Sequence, residues 1–157
     1  MKFGNKEFKE YWKIIKIPTY ILVGWSIVGF ILSIIAYDLY SSVFTGASGW
    51  VLMLSVFGFI GWSAIKDYKK DINFSAWSGA ISGAISGMVG AVIAIIMFFT
   101  VPEILLAAAS QANMDTSTLQ SMMQIGVYIG LVTGPLISGL IGSLISAISA
   151  AIAKKIK

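Results

Sequence analysis

The 157-residue chain contains no cysteine, no histidine and no arginine. Without cysteine it can form neither a disulfide nor a thiolate nucleophile, and without histidine it lacks the most common metal ligand and proton carrier. Without arginine it lacks the planar donor that binds carboxylates and phosphates in a bidentate fashion. These absences predict a protein that is not an enzyme and that holds no metal and no cofactor.

Charge is also scarce. Charged residues make up 11% of the chain, compared with about 25% in a typical soluble domain. Hydrophobic residues make up 57%, and the mean hydropathy is +0.87. All eleven basic residues are lysines beside apolar segments, so anionic lipid headgroups are a simpler partner than nucleic acid. The composition therefore predicts an integral membrane protein that binds no nucleic acid.

Four apolar segments are long enough to cross a bilayer, which takes about 20 helical residues. They cover residues 17–36, 46–65, 74–101 and 125–153. The last two are longer than the hydrocarbon layer is thick, so they must tilt, kink or project. Pro135, directly after Gly134, is the predicted kink. The predicted fold is all-α, a four-transmembrane-helix bundle over residues 17–157.

The lysines indicate how the bundle is oriented. They precede the first span, lie between the second and third, and follow the fourth, at positions Lys2, Lys6, Lys9, Lys13, Lys16, Lys66, Lys69, Lys70, Lys154, Lys155 and Lys157. The connections on the opposite side, residues 37–45 and 102–124, carry none. By the positive-inside rule we expect a multi-pass protein of the cell membrane with both termini in the cytoplasm.

Residues 1–16 are predicted to form a separate amphipathic helix at the membrane interface. Apolar side chains recur there at helical spacing, at Phe8, Tyr11, Trp12 and Ile15. Pro18 then suits the start of a new helix, because its missing N–H costs nothing in a first turn. A cleaved signal peptide is the alternative, and it is disfavoured because Glu7 and Glu10 make a poor positively charged leader.

Small residues recur every four positions in the third and fourth spans. In the third they form two adjoining ladders, Ser75, Gly79, Gly83, Gly87 and Ala91 beside Ser78, Ser82, Ser86, Gly90 and Ala94. In the fourth the main ladder is Gly126, Gly130, Gly134, Ser138, Gly142 and Ser146. Such faces let two helix backbones approach closely, which predicts a tight hairpin of these spans. The first two spans, rich in large apolar residues, are expected to face lipid.

The ladders support two hypotheses about function. Two ladders on one helix exceed the needs of a single contact, which favours a non-enzymatic scaffold or accessory subunit that forms a homo-oligomer or joins a larger membrane complex. The predicted association face is Gly79, Gly83, Gly87, Gly90, Gly130, Gly134, Ser138, Gly142 and Ser146. The alternative is a small channel or permease component, with a path for an ion or neutral solute lined by Ser78, Ser82, Ser86, Ser138 and Ser146.

Two shorter patterns complete the predictions. Asp115 or Thr116 is a suitable N-cap for a helix leading into the fourth span. The loop with Asp67, Lys69, Lys70 and Asp71 fits no ligand set and is predicted to be a solvated turn that fixes topology.

The ladders resemble the glycine zippers of small prokaryotic membrane proteins, and the many isoleucines and lysines fit a prokaryotic origin. This resemblance covers only the second half of the chain and implies no particular activity.

Overall fold

The computed structural model describes residues 2–3, 6–44, 47–100, 106, 110 and 115–156. The main helices in this part of the chain are α1 (Phe8–Ile35), α2 (Tyr37–Phe44), α3 (Ser48–Lys66), α4 (Ile72–Thr100) and α5 (Thr116–Lys155). All except α2 are long and apolar enough to cross a membrane. The predicted all-α, four-helix membrane bundle is confirmed, and the protein is a multi-pass membrane protein.

The N-terminal segment differs from the prediction of a separate helix over residues 1–16. Two short strands, β1 (Lys2–Phe3) and β2 (Lys6–Glu7), pair in an antiparallel ladder. Helix α1 then begins at Phe8 and continues through Pro18 to Ile35 without a break.

Helix α1 is continuous because the apolar face of its first turns packs against other helices of the bundle. Tyr11 and Ile15 are both fully buried, and the Tyr11 ring stacks on Phe74 of α4 with centroids 4.4 Å apart. Pro18 itself is also buried. These contacts hold the helix together although Pro18 removes one backbone hydrogen bond.

Helices α4 and α5 lie at the centre of the packing. Helix α4 makes its most extensive contact with α5, α3 packs chiefly on α5, and α1 packs chiefly on α4. The first two spans, α1 and α3, touch each other less. Every lysine-bearing segment of the described chain lies at one end of the bundle. We call this the lysine end and the opposite end the distal end.

Polar contacts connect three segments of the chain at the lysine end. The Lys70 ammonium lies 3.0 Å from the Glu10 carboxylate, and the Tyr68 hydroxyl donates to the Lys13 carbonyl at 3.4 Å. The Lys66 ammonium donates to the carbonyl of residue 156. The start of α1, the α3–α4 loop and the end of α5 therefore meet in space.

At the distal end, α2 occupies a region that was expected to be a simple connection. Its last residue, Phe44, stacks on Trp25 of α1 with ring centroids 4.3 Å apart. The ring also fills the space beside Gly29, where an added side-chain carbon would come within 2.8 Å of it. Helix α2 therefore folds back on α1.

Helix α5 is much longer than the predicted fourth span. Its 40 residues extend about 60 Å, twice the thickness of the hydrocarbon layer.

Asp115 caps α5 as predicted, accepting the Thr118 N–H at 2.8 Å. Donation from the Ser117 hydroxyl and from the N–H and hydroxyl of Thr118 lowers the pKa of Asp115 to about 2, so the cap is ionised at neutral pH. Apart from residues 106 and 110, the connection before Asp115 lies outside the described residues.

Candidate functional site: the small-residue interface

In the half of the bundle nearer the lysine end, α4 and α5 touch backbone to backbone. Gly79 lies against the carbonyl of Gly142, and Gly83 lies against the carbonyl of Ser138. A side-chain carbon at either glycine would overlap the backbone of α5. Here the two ladders form the hairpin contact that their spacing predicts.

Ser146 connects three helices. Its hydroxyl donates to the carbonyl of Phe57 on α3 at 2.9 Å, and its own carbonyl accepts the Ser75 hydroxyl of α4 at 2.9 Å. Gly61 of α3 lies directly against the same Ser146 carbonyl. The Ser146 side chain is fully buried, so these bonds are shielded from solvent and lipid.

The second ladder of α4 contacts α1. The Ser82 and Thr19 hydroxyls share a buried hydrogen bond of 2.8 Å, and Ser78, also buried, donates to the carbonyl of Phe74 in its own helix. Two ladders therefore serve two neighbouring helices within one chain. In this half, the ladder that seemed surplus in the sequence is used for packing the monomer.

Towards the distal end the same ladders separate. Gly134 meets only the Ala91 side chain and the Gly87 carbonyl, each 3.6 Å from where a side-chain carbon would be. At Gly90, Gly126 and Gly130 such a carbon would meet nothing within 4 Å. Of the predicted association face, the structure brings together Gly79, Gly83, Gly87, Ser138, Gly142 and Ser146, and leaves Gly90 and Gly130 without close contacts.

The separation opens a cavity of about 670 Å³ among the four long helices, here called the distal cavity. Leu22 and Trp25 of α1 and Met53 of α3 give it an apolar wall opposite the glycines. The hydroxyls of Ser26 and Ser86, which also line it, donate to carbonyls of their own helices at 3.1 Å. The cavity is therefore suited to an apolar occupant.

Comparison with known protein families, with curated proteins and with solved structures finds no match.

The five serines predicted to line a path do not form one continuous line. Ser78, Ser82 and Ser146 have no exposed surface and their hydroxyls are hydrogen-bonded within the packed half. Ser86 and Ser138 line the distal cavity. The polar groups are thus divided between a dry interface and an apolar cavity.

The sequence did not point to several residues of α1 and α3 that contact α4 and α5, because the first two spans were expected to face lipid. Phe57 is 1% exposed, and a side-chain carbon added at Gly142 would approach its ring to 2.8 Å. Gly61 and Thr19 make the contacts with α5 and α4 described above. The signal for α3 was Gly61 in an otherwise bulky segment, since small residues permit close helix approach.

Helix α5 continues through Pro135. Since proline has no N–H, the Leu131 carbonyl one turn earlier loses its helical donor. Pro135 lines a shallow groove between α4 and α5 together with Ala80 and Ala84. The kink at this position stays a prediction.

Proposed function

We propose that this protein is a non-enzymatic membrane scaffold or accessory subunit that associates with copies of itself or with a larger membrane complex. The association surface is the distal part of the α4 and α5 ladders. The observation that carries the proposal is the difference between the packed and the distal parts of the ladders, in contact at Gly83 and open at Gly90 and Gly130.

The open glycines support association because they favour close approach of a further helix. Gly126, Gly130 and Gly134 are spaced four residues apart on α5, the pattern that allows helix backbones to meet in lipid. Gly90 and Ala94 of α4 line the opposite wall of the distal cavity. A helix from a partner chain would make dispersion contacts there that disordered lipid provides less well.

Replacing Gly130 with leucine is expected to weaken association about tenfold or more, because the branched side chain fills the space that a partner backbone needs. The monomer should fold normally, since nothing lies within 4 Å of the first side-chain carbon and Gly130 lines the distal cavity, which has space for the rest of the side chain. Native mass spectrometry of protein extracted gently from its own membrane measures the mass of the complex.

Gly24→Leu is the matched control, because Gly24 is also a helix residue with open space around it and lies on α1, outside the ladders. It should leave the mass of the complex unchanged. A complex that keeps its full mass in Gly130→Leu would count against the proposed surface.

A conducting path, the alternative function, has weaker support. A path for ions needs oxygen ligands along its length, and three of the five serines lie in buried contacts. The distal cavity also adjoins the packed half of the bundle, where Leu22, Phe57 and Ser138 line it.

We also infer that the lysine end faces the cytoplasm and contacts anionic headgroups, since lysines concentrate on the inner side of membrane proteins. Because the chain has no cysteine, one introduced cysteine gives an unambiguous label. Ser42→Cys in α2 should react with an impermeant maleimide in intact cells, and Lys155→Cys only after permeabilisation. The reverse pattern would contradict this orientation.

A further inference from the structure

The lysine end contains a polar cavity of about 790 Å³, here called the lysine cavity. Its four lysines come from three distant parts of the chain: Lys6 from β2, Lys69 and Lys70 from the α3–α4 loop, and Lys154 from the end of α5. The sequence predicted this loop to be only a solvated turn. The fold places its lysines beside lysines from both ends of the chain.

Of the four lysines in this cavity, one forms an ion pair within the described part of the chain. Lys70 pairs with Glu10. Asp71, the acidic residue that lines the cavity, accepts the N–H of Phe74 at 2.6 Å and so caps α4. Among the described residues, Lys6, Lys69 and Lys154 have no carboxylate within ion-pairing distance. The cavity is therefore complementary to an anion.

A groove of about 440 Å³ between α4 and α5 continues from this cavity, since Asn73 and Trp77 line both. Its α4 wall consists mainly of small apolar residues, Ala76, Ala80 and Ala84. Along α4, Asn73 and Ala84 are about 16 Å apart at 1.5 Å per residue. That is close to half of the roughly 30 Å hydrocarbon layer, the depth of one leaflet.

We propose that this composite surface binds one anionic phospholipid, with the phosphate headgroup in the lysine cavity and an acyl chain in the groove. A soluble phosphate would use the charges and leave the groove empty, whereas a lipid uses both. Basic pockets between membrane helices bind headgroups of this kind, and Trp77, which is 43% exposed, suits the boundary between headgroup and chain. This site is separate from the distal association surface.

The test is lipid binding to the purified full-length chain, measured by native mass spectrometry at low salt. The probes are phosphatidylglycerol, phosphatidylcholine and glycerol phosphate. Phosphatidylglycerol should bind at least tenfold more tightly than either of the others, because only it combines net negative charge with acyl chains. Equal binding of phosphatidylcholine, or equally tight binding of glycerol phosphate, would overturn the assignment.

Two triple variants of equal net charge test the lysine cavity. Lys6→Gln, Lys69→Gln and Lys154→Gln together should weaken phosphatidylglycerol binding roughly 100-fold. The control replaces three exposed lysines outside the cavity with glutamine in the same way: Lys9, Lys13 and Lys155. The control should stay within about twofold of the parent protein. Equal losses in both triples would mean that the headgroup responds only to diffuse charge, and would refute a defined site.

A further variant tests the groove. Ala76→Phe places a large ring in the groove and should weaken phosphatidylglycerol binding about tenfold by displacing acyl methylenes. Met88→Phe is the control, since Met88 is 58% exposed on the same helix and does not line the groove. Unchanged binding in Ala76→Phe would exclude an acyl chain from the groove. Oligomer mass, recorded in the same spectra, reports separately on the association surface.

Discussion

Replacing Gly83 with alanine is expected to lower the free energy of unfolding of the monomer by about 1–3 kcal/mol, although only one methyl group is added. The new carbon would overlap the Ser138 carbonyl and lie within 2.7 Å of its carbonyl carbon and 3.0 Å of the Gly139 Cα. All three are backbone atoms of α5, so no side-chain rotation relieves the overlap. Unfolding in mixed micelles measures the change.

Gly90→Ala on the same helix is the matched comparison. Because a side-chain carbon there meets nothing within 4 Å, stability should be unchanged or rise by a few tenths of a kcal/mol through better helix propensity. Opposite signs for two glycines seven positions apart would support the division of the α4 ladders into packed and open halves. Equal effects of the two substitutions would contradict it.

Replacing Phe57 with alanine should cost about 2–3 kcal/mol. Buried Phe→Ala changes in soluble cores cost about 3–5 kcal/mol, and part of that is transfer from water, which is smaller where the unfolded helices are surrounded by lipid. The dispersion energy of the packed ring is forfeited in either solvent. Phe57 also lines the distal cavity, so its removal should enlarge that cavity towards the packed half. The same micelle unfolding experiment gives the cost.

Phe59→Ala controls for the removal of an aromatic ring from α3, since Phe59 is 57% exposed and faces away from the core. It should change stability by less than about 0.5 kcal/mol. Equal losses of stability in the two alanine variants would contradict the prediction that packing of the Phe57 ring between α3 and α5 stabilises the bundle.

The positions of the spans and the contact between the two ladders could be predicted from the sequence. Hydrophobic length defines the spans to within a few residues, except at the start of α1, where the apolar face packs on protein, and at α5, whose polar first turns lie outside the apolar segment. The periodicity of glycine and serine pairs α4 with α5, because both helices repeat small residues every four positions.

The sequence does not reveal where along the ladders the contact ends. Gly83 and Gly90 belong to equally regular ladders, yet one touches α5 and the other does not. The difference depends on how far apart α4 and α5 are at each depth, which the ladders themselves do not encode. Pro18 was similarly ambiguous, because only the tertiary contacts of Tyr11 and Ile15 decide whether the helix continues through it.

The packing order also has a consequence for biosynthesis. Helices α1 and α3 leave the ribosome before α4 and α5, in which they have their main partners. Until those helices arrive, Thr19 has no Ser82 and Gly61 has no Ser146 to contact. During that interval the first two spans stand in the bilayer without their main tertiary partners, and the packed half can form only after α5 has been made.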